Sequence, residues 1–347
     1  MSLNHAQTEA VAHNKGPCMV LAGPGSGKTL TIAKRIEYLI MKHKVRPEEI
    51  LVITFTKYAA WEMKNRTRSI CGPSSYAVTF GTFHGIYYGI LKWAYRLNQS
   101  NLLSDEEKYR ILREILPGID WDQEPEADEE KDYLQELAIE IGNVKNNCMD
   151  IEEYEPVKYT TEKFRKLYRT YEETKKKYRK IDFEDMLIQC RDLFMKRPDI
   201  LKKWQEKFQY ILVDEFQDVN QAQYDVVRML AAPQDNLFVV GDDDQSVYGF
   251  RGAKPGIMME FMKDYPKARQ ILLDVNYRSS GYIVKGALRV IGNNKIRFEK
   301  KIEAFRKPDE TVHVQEVKDP VQEAEYVLER IREYREKGVS YTEMAVL

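Results

Sequence analysis

Long apolar runs are missing from this sequence. No segment approaches the roughly eighteen consecutive apolar residues of a membrane span, and the opening MSLNHAQTEAVAHNKG has no basic start followed by an apolar stretch. A membrane-embedded protein is therefore excluded as a reading, and a cytoplasmic location is expected. Cysteine is scarce: Cys18, Cys71, Cys148 and Cys190 lie far apart with no CxxC pair, which argues against a zinc site and against a disulfide framework. An excess of either charge is absent too. With 54 Lys and Arg against 55 Asp and Glu, the net charge is −1, so any nucleic-acid binding must come from local patches rather than a global positive field. What the chain does have is length, 347 residues, enough for two domains, or three if one is small.

The most informative stretch is CMVLAGPGSGKT, Cys18 to Thr29. Four apolar residues predict a buried strand, a glycine-rich turn follows, and Ile32, Ile36, Leu39 and Ile40 recur at helical spacing. Strand, glycine loop and helix in that order suit phosphate. Gly23, Gly25 and Gly27 let backbone N–H groups curl around phosphate oxygens, with Ser26 between them, and the new helix adds its positive end. Lys28 would reach the β and γ phosphates, and the Thr29 hydroxyl would hold Mg²⁺. Ala22 stands where the strict pattern has glycine, so the match is AxxGxGKT.

Further strands are expected at Ile50 to Phe55, Ala77 to Gly85, Tyr210 to Val213, Asn236 to Asp242 and Gln270 to Asp274, with helices between them. That alternation predicts an α/β fold with a parallel sheet and ligands at the carboxyl ends of its strands. Phe55, Thr56, Thr82, Phe83 and His84 fall at such ends; an aromatic there is either a core plug or a stacking platform. Asp214 and Glu215 end the Tyr210 strand, where one carboxylate would bind Mg²⁺ and the other polarise water. Together with AxxGxGKT they point to ATP hydrolysis. Gln245 follows the Asn236 strand beside the expected nucleotide, and Phe250 and Arg251 on the same loop offer a stacking face and a phosphate contact. Tyr277 and Arg278 are expected just after a strand, to cover a base and to neutralise charge on the transferred phosphate.

Between about residues 98 and 205 the strands stop, and charged helices predict an all-helical insertion. Within it, Lys163 to Lys180 holds nine basic residues interleaved with Tyr168, Tyr171 and Tyr178. That run suits either a nucleic-acid backbone or a solvated helix face. From Ser279 a new α/β unit is expected: a helix, a basic linker NNKIRFEKKIEAFRKPDE, a strand TVHVQEV, a helix and a strand MAVL. Ending on a sheet strand suggests a truncated chain.

Taken in order, LNHAQTEAV, AGPGSGKT, ITFTKYAAWEM, TFHGIYYGIL, IDFEDML, VDEFQD, VVGDDDQSVYGFRGA and NYRSS make the chain resemble superfamily I DNA helicases of the UvrD, Rep and PcrA type, from Gln7 to Leu347. The resemblance implies a RecA-like phosphate-loop domain (1–97 and 206–270), an inserted helical subdomain (98–205) and a partial second RecA-like domain (271–347). It implies that Gln7 reads adenine while Tyr277 stacks on it, that Gln245 and Arg278 contact the γ phosphate, and that Phe55, Thr56, Thr82, His84, Phe250 and Arg251 line a single-stranded DNA path. ATP and Mg²⁺ are the implied ligands. Single-stranded DNA and single-strand/duplex junctions are the implied partners, with 3′-to-5′ movement and no membrane.

Departures from the family pattern are Leu30 for a common arginine, Lys57 and Tyr58 for an Asn-Lys pair, and Phe250 for a tryptophan. The family's later blocks, which complete the second motor domain, are absent, so weak turnover by this stretch alone is expected. Two other readings stay open: a single-strand translocase or the motor part of a helicase-nuclease, and a non-motor ATP-binding module that recruits partners through its helices.

Overall fold

The computed structural model describes residues 3–119, 130–246, 256–307 and 312–347. Its centre is a six-stranded parallel sheet of β1 (Cys18–Ala22), β2 (Ile50–Thr54), β3 (Thr79–Thr82), β4 (Tyr210–Val213), β5 (Leu237–Gly241) and β6 (Arg269–Leu273), in the order β3-β2-β4-β5-β1-β6. Strands β1, β2, β4 and β5 are buried at every position, which is why they read as continuous apolar runs without polar alternation. Their alternation runs between two apolar cores. Met19, Leu21, Leu51, Ile53, Ile211 and Val213 enter one, and Cys18, Val20, Ile50, Val52, Tyr210 and Leu212 enter the other.

Helices α1 (His5–Ala12), α2 (Lys28–Met41) and α3 (Lys57–Cys71) contribute Ala10, Ile32, Ile36, Leu39 and Met63 to the second of these cores. The first is covered by α4 (Phe83–Tyr95) and by helices from later in the chain. Next come α5 (Asp105–Ile115), α6 (Glu130–Asn146) and α7 (Thr161–Lys177), which close a core of their own around Ile111, Leu112, Leu137, Ile141, Phe164 and Leu167. By contrast α8 (Asp185–Lys196) and α9 (Pro198–Lys207) send Leu187, Cys190, Phe194 and Ile200 into the core beneath the sheet, beside α10 (Gln221–Ala231) and α11 (Gly256–Asp264).

The basic run at Lys163 to Lys180 is not a single solvated face. Helix α7 turns Phe164, Leu167, Tyr171 and Lys175 inward. The Lys175 ammonium lies 2.5–2.8 Å from carboxylates of Glu172, Asp182 and Asp185, and Lys145 of α6 pairs with the same three at 2.7 Å. These carboxylates are grouped closely enough to hold a metal, but two ammonium groups already pair with all three. Burial alone would push Asp182 up; Lys145 and Lys175 outweigh it and hold this carboxyl well below the usual range.

After β6 the chain forms β7 (Val275–Ser280), α12 (Gly281–Ile291), β8 (Glu303–Arg306) and α13 (Pro320–Glu336), with β7 and β8 paired in parallel. Several sequence expectations need correction here. Tyr277 and Arg278 follow the expected strand, now β6, but themselves form a further strand, β7, and β8 falls inside the expected basic linker. Residues 312–317 of TVHVQEV and all of MAVL are not strands. Their apolar residues Val312, Val314 and Val346 are exposed, and no ladder among the described residues pairs their backbone, without which a strand has no hydrogen bonds to form. The third strand is also shorter than expected, because the Thr82 side chain already accepts from the Gly85 N–H to cap α4. Among the described residues, no helix is long and apolar enough to cross a membrane.

Candidate active site

Between β1 and α2 the glycine loop is held from within: the Ser26 hydroxyl donates to the Gly23 carbonyl at 2.7 Å. Gly25 has a φ of +68°, and a Cβ built on it would stand 2.5 Å from Cβ of Arg278. Both the left-handed backbone and the close approach of β7 therefore require glycine. Gly27 caps α2, whose first residues are Lys28 and Thr29, so the helix presents its positive end to the loop.

Strands β1 and β4 are separated in the sheet by β5, yet the Lys28 ammonium reaches a Glu215 carboxylate oxygen at 2.7 Å. Between them β5 ends in Gly241, where a Cβ would lie 2.8 Å from Oε1 of Gln217. Glu215 occupies the left-handed region at φ +51°, an unusual conformation for a non-glycine residue and one concentrated at functional sites. Asp214 is buried, and one of its carboxylate oxygens accepts from the Glu215 N–H at 3.0 Å. Burial, then the Glu215 charge, push Asp214 up to about 6; the same two causes raise Asp218 to about 6.

Gln217 is a residue that sequence reasoning passed over. Its amide donates to Glu215 at 2.9 Å and its oxygen accepts from the Asp242 N–H at 3.0 Å, tying the ends of β4 and β5 together. Gln245 joins this chain, donating to the Asp242 carboxylate at 2.6 Å. VDEFQD was visible as a block, but only the fold shows that its glutamine bridges two strands.

The structure brings Gln7, Tyr277 and Arg278 onto the phosphate loop. Gln7 donates to the Ser26 carbonyl at 2.9 Å, and its oxygen accepts from the Asn4 N–H at 3.0 Å within a reciprocal helix cap. The Asn4 amide in turn donates to the Tyr277 hydroxyl at 2.9 Å, and the Tyr277 N–H donates to the Gly25 carbonyl at 2.9 Å.

Phe55, Thr56, Thr82 and His84 stand apart from this cluster, at the carboxyl ends of the neighbouring strands β2 and β3. Thr56 and Thr82 are the N-caps of α3 and α4, accepting from Ala59 and Gly85. His84 stacks on Phe183 with ring centroids 3.7 Å apart, and burial lowers its pKa to about 3, so it is neutral. Phe183 is half exposed and was missed from sequence; it lies in the IDFEDML block, where only tertiary contact reveals its partner. Phe250 and Arg251 lie outside the described residues.

The donor set fits a magnesium nucleotide. A loop whose Gly25 and Gly27 leave no room for a Cβ, a helix N-terminus with a lysine and a hydroxyl, and a buried Asp214 raised by burial and then by the Glu215 charge are what anionic phosphate and a dication would each stabilise. Loop, lysine and carboxylates converge on one end of a parallel sheet, as in phosphate-loop nucleotide-binding folds.

Comparison with known proteins narrows the class. Residues 3–266 match the UvrD/REP helicase N-terminal domain, and residues 271–347 match the UvrD-like helicase C-terminal domain. The chain is similar to YjcD of Bacillus subtilis (strain 168), with 39% identity over 100% of this chain and 46% of that protein. It is also similar to the ATP-dependent DNA helicase PcrA of Staphylococcus aureus (strain Mu50), with 35% identity over 99% of this chain and 47% of that protein. The PcrA of Staphylococcus epidermidis is 35% identical over 100% of this chain and 48% of its own length. The chain belongs to the UvrD/REP helicase family, and it spans about half the length of the curated relatives it matches.

Proposed function

We propose that this chain binds ATP with Mg²⁺ and hydrolyses it to drive movement along single-stranded DNA, as part of an ATP-dependent DNA helicase. The observation that carries the reading is the contact of Lys28 with Glu215 beside the buried Asp214, which gathers a phosphate ligand, a base and a metal ligand at one sheet end. Lys28 and the loop N–H groups would hold the β and γ phosphates; Thr29 and Asp214 would hold Mg²⁺, which supplies charge neutralisation on the phosphates. Glu215 would orient the attacking water and take its proton. Arg278 and Gln245 would meet the γ phosphate, and Gln7 and Tyr277 the adenine. DNA would run past Phe55, Thr56, Thr82, His84, Phe250 and Arg251, with single-strand/duplex junctions as the preferred substrate.

In this reading the ATP-binding domain (1–97 and 206–270), the helical subdomain (98–205) and the C-terminal unit (271–347) move against one another on nucleotide binding. Directed movement tests it. The full-length gene product should carry itself 3′ to 5′ along an oligonucleotide and displace a label at the 5′ end only when ATP and Mg²⁺ are both supplied. ATP-independent displacement, or none at all, would contradict the reading.

A further inference from the structure

The basic segment after α12 does more than link. Lys300 is buried, and its ammonium lies 2.5 Å from Asp242, 2.5 Å from Asp243 and 2.8 Å from Asp244. Arg297 forms a two-pronged pair with Asp244 at 2.5 and 2.8 Å, and the Phe298 N–H donates to Asp243 at 2.8 Å. Three adjacent carboxylates at the end of β5 are thus gripped by a segment from the stretch matched to the C-terminal domain.

This grip is continuous with the candidate active site. One oxygen of Asp242 meets Lys300, and the other accepts from the Gln245 amide at 2.6 Å. The Asp242 N–H donates to Gln217, Gln217 donates to Glu215, and Glu215 meets Lys28. A buried charge held at this distance fixes its partner's rotamer, because any other orientation leaves an unpaired carboxylate in a low-dielectric site.

Building on the proposed function, we infer that Lys300 is a positioning residue for ATP hydrolysis: it fixes Asp242, through it aims Gln245, and so links displacement of the C-terminal segment to the phosphate end of the site. Of its three carboxylate partners, Asp242 is the one whose second oxygen holds Gln245, and Lys300 acts on the site through it. Ile302 of the same segment lies beside the phosphate loop, 3.5 Å from where a Cβ on Gly23 would stand.

The test is a double-mutant cycle in the full-length protein with saturating single-stranded DNA, comparing wild type, Lys300→Met, Gln245→Ala and the double variant. Lys300→Met should lower kcat about tenfold while the affinity for a fluorescent ATP analogue changes less than about threefold, and it should add nothing once Gln245 is alanine. A structural role would instead lower stability and analogue binding together, or multiply with the Gln245 loss; either result overturns the inference, as does an unchanged kcat. If Lys300→Met does not fold, Lys300→Met with Asp243→Asn removes one charge of each sign and enters the same cycle. Wild-type protein that does not turn over ATP would defeat the proposed function itself; active wild type with an indifferent Lys300 variant defeats the inference alone.

Discussion

The Lys28 ammonium and the Glu215 carboxylate meet at 2.7 Å across the end of an intervening strand. The pair joins the residue that would bind phosphate to the one that would activate water. A γ phosphate would compete with Glu215 for Lys28, and its arrival would free the carboxylate to take a proton.

Separating the two roles by mutation follows. Glu215→Gln should still bind a fluorescent ATP analogue but hydrolyse ATP about 10²–10⁴-fold more slowly, the range typical of a lost general base. Lys28→Ala should lose binding as well as turnover. Equal loss of binding in both variants would make Glu215 a structural residue.

Gly241 offers a steric test. Its place under Gln217 leaves no room for a side chain, so Gly241→Val should cost about 1–3 kcal/mol of stability by overpacking and should displace the Asp214–Glu215 segment. Denaturant titration and ATP turnover measure the two effects, and a variant unchanged in both would mean that Gln217 does not bridge the strands.

The lysine-filled cluster in the helical subdomain predicts a pH dependence. Asp182 is held below its unfolded value, so its stabilisation is fully present above the unfolded pKa of about 4 and is lost as pH falls from there through the lower folded value. Unfolding free energy should therefore decline in acid below about pH 4, and Asp182→Asn should flatten that decline. At neutral pH the same variant should cost about 3–5 kcal/mol, because Lys145 and Lys175 lose a buried counter-charge. An unaltered acid slope would remove the cluster from the stability account.

Phe183 presents a half-exposed ring stacked on His84 at the end of the sheet proposed to carry DNA. If bases stack there, Phe183→Ala should weaken single-stranded DNA binding by about 1–3 kcal/mol while leaving ATP binding intact. Fluorescence anisotropy with a labelled oligonucleotide reads this directly, and unchanged affinity would take the ring off the track.

How much of this was legible in the sequence depended on whether the chemistry was contiguous. AGPGSGKT and VDEFQD carry their spacing within a few residues, so Lys28, Asp214 and Glu215 could be named before their meeting was seen. The buried strands were legible because each is an unbroken apolar run between turn residues. TVHVQEV was misread from its alternation and MAVL from its apolar run, because neither pattern reports the backbone partner that a strand also needs. Strand β8 was hidden among charges, with only Ala304 and Phe305 apolar between Glu303 and Arg306. Gln217, Phe183 and Lys300 were passed over for a shared reason: their partners Asp242, His84 and the Asp242–Asp244 run come from other parts of the chain, and no local pattern records the contact.

The most direct test of the account is steady-state ATP hydrolysis by the full-length gene product, with and without single-stranded DNA. Mg²⁺-dependent turnover should rise strongly with DNA and disappear in Lys28→Ala. Turnover indifferent to DNA would contradict it, leaving an ATP-binding module whose sheet-end aromatics have no nucleic acid to hold.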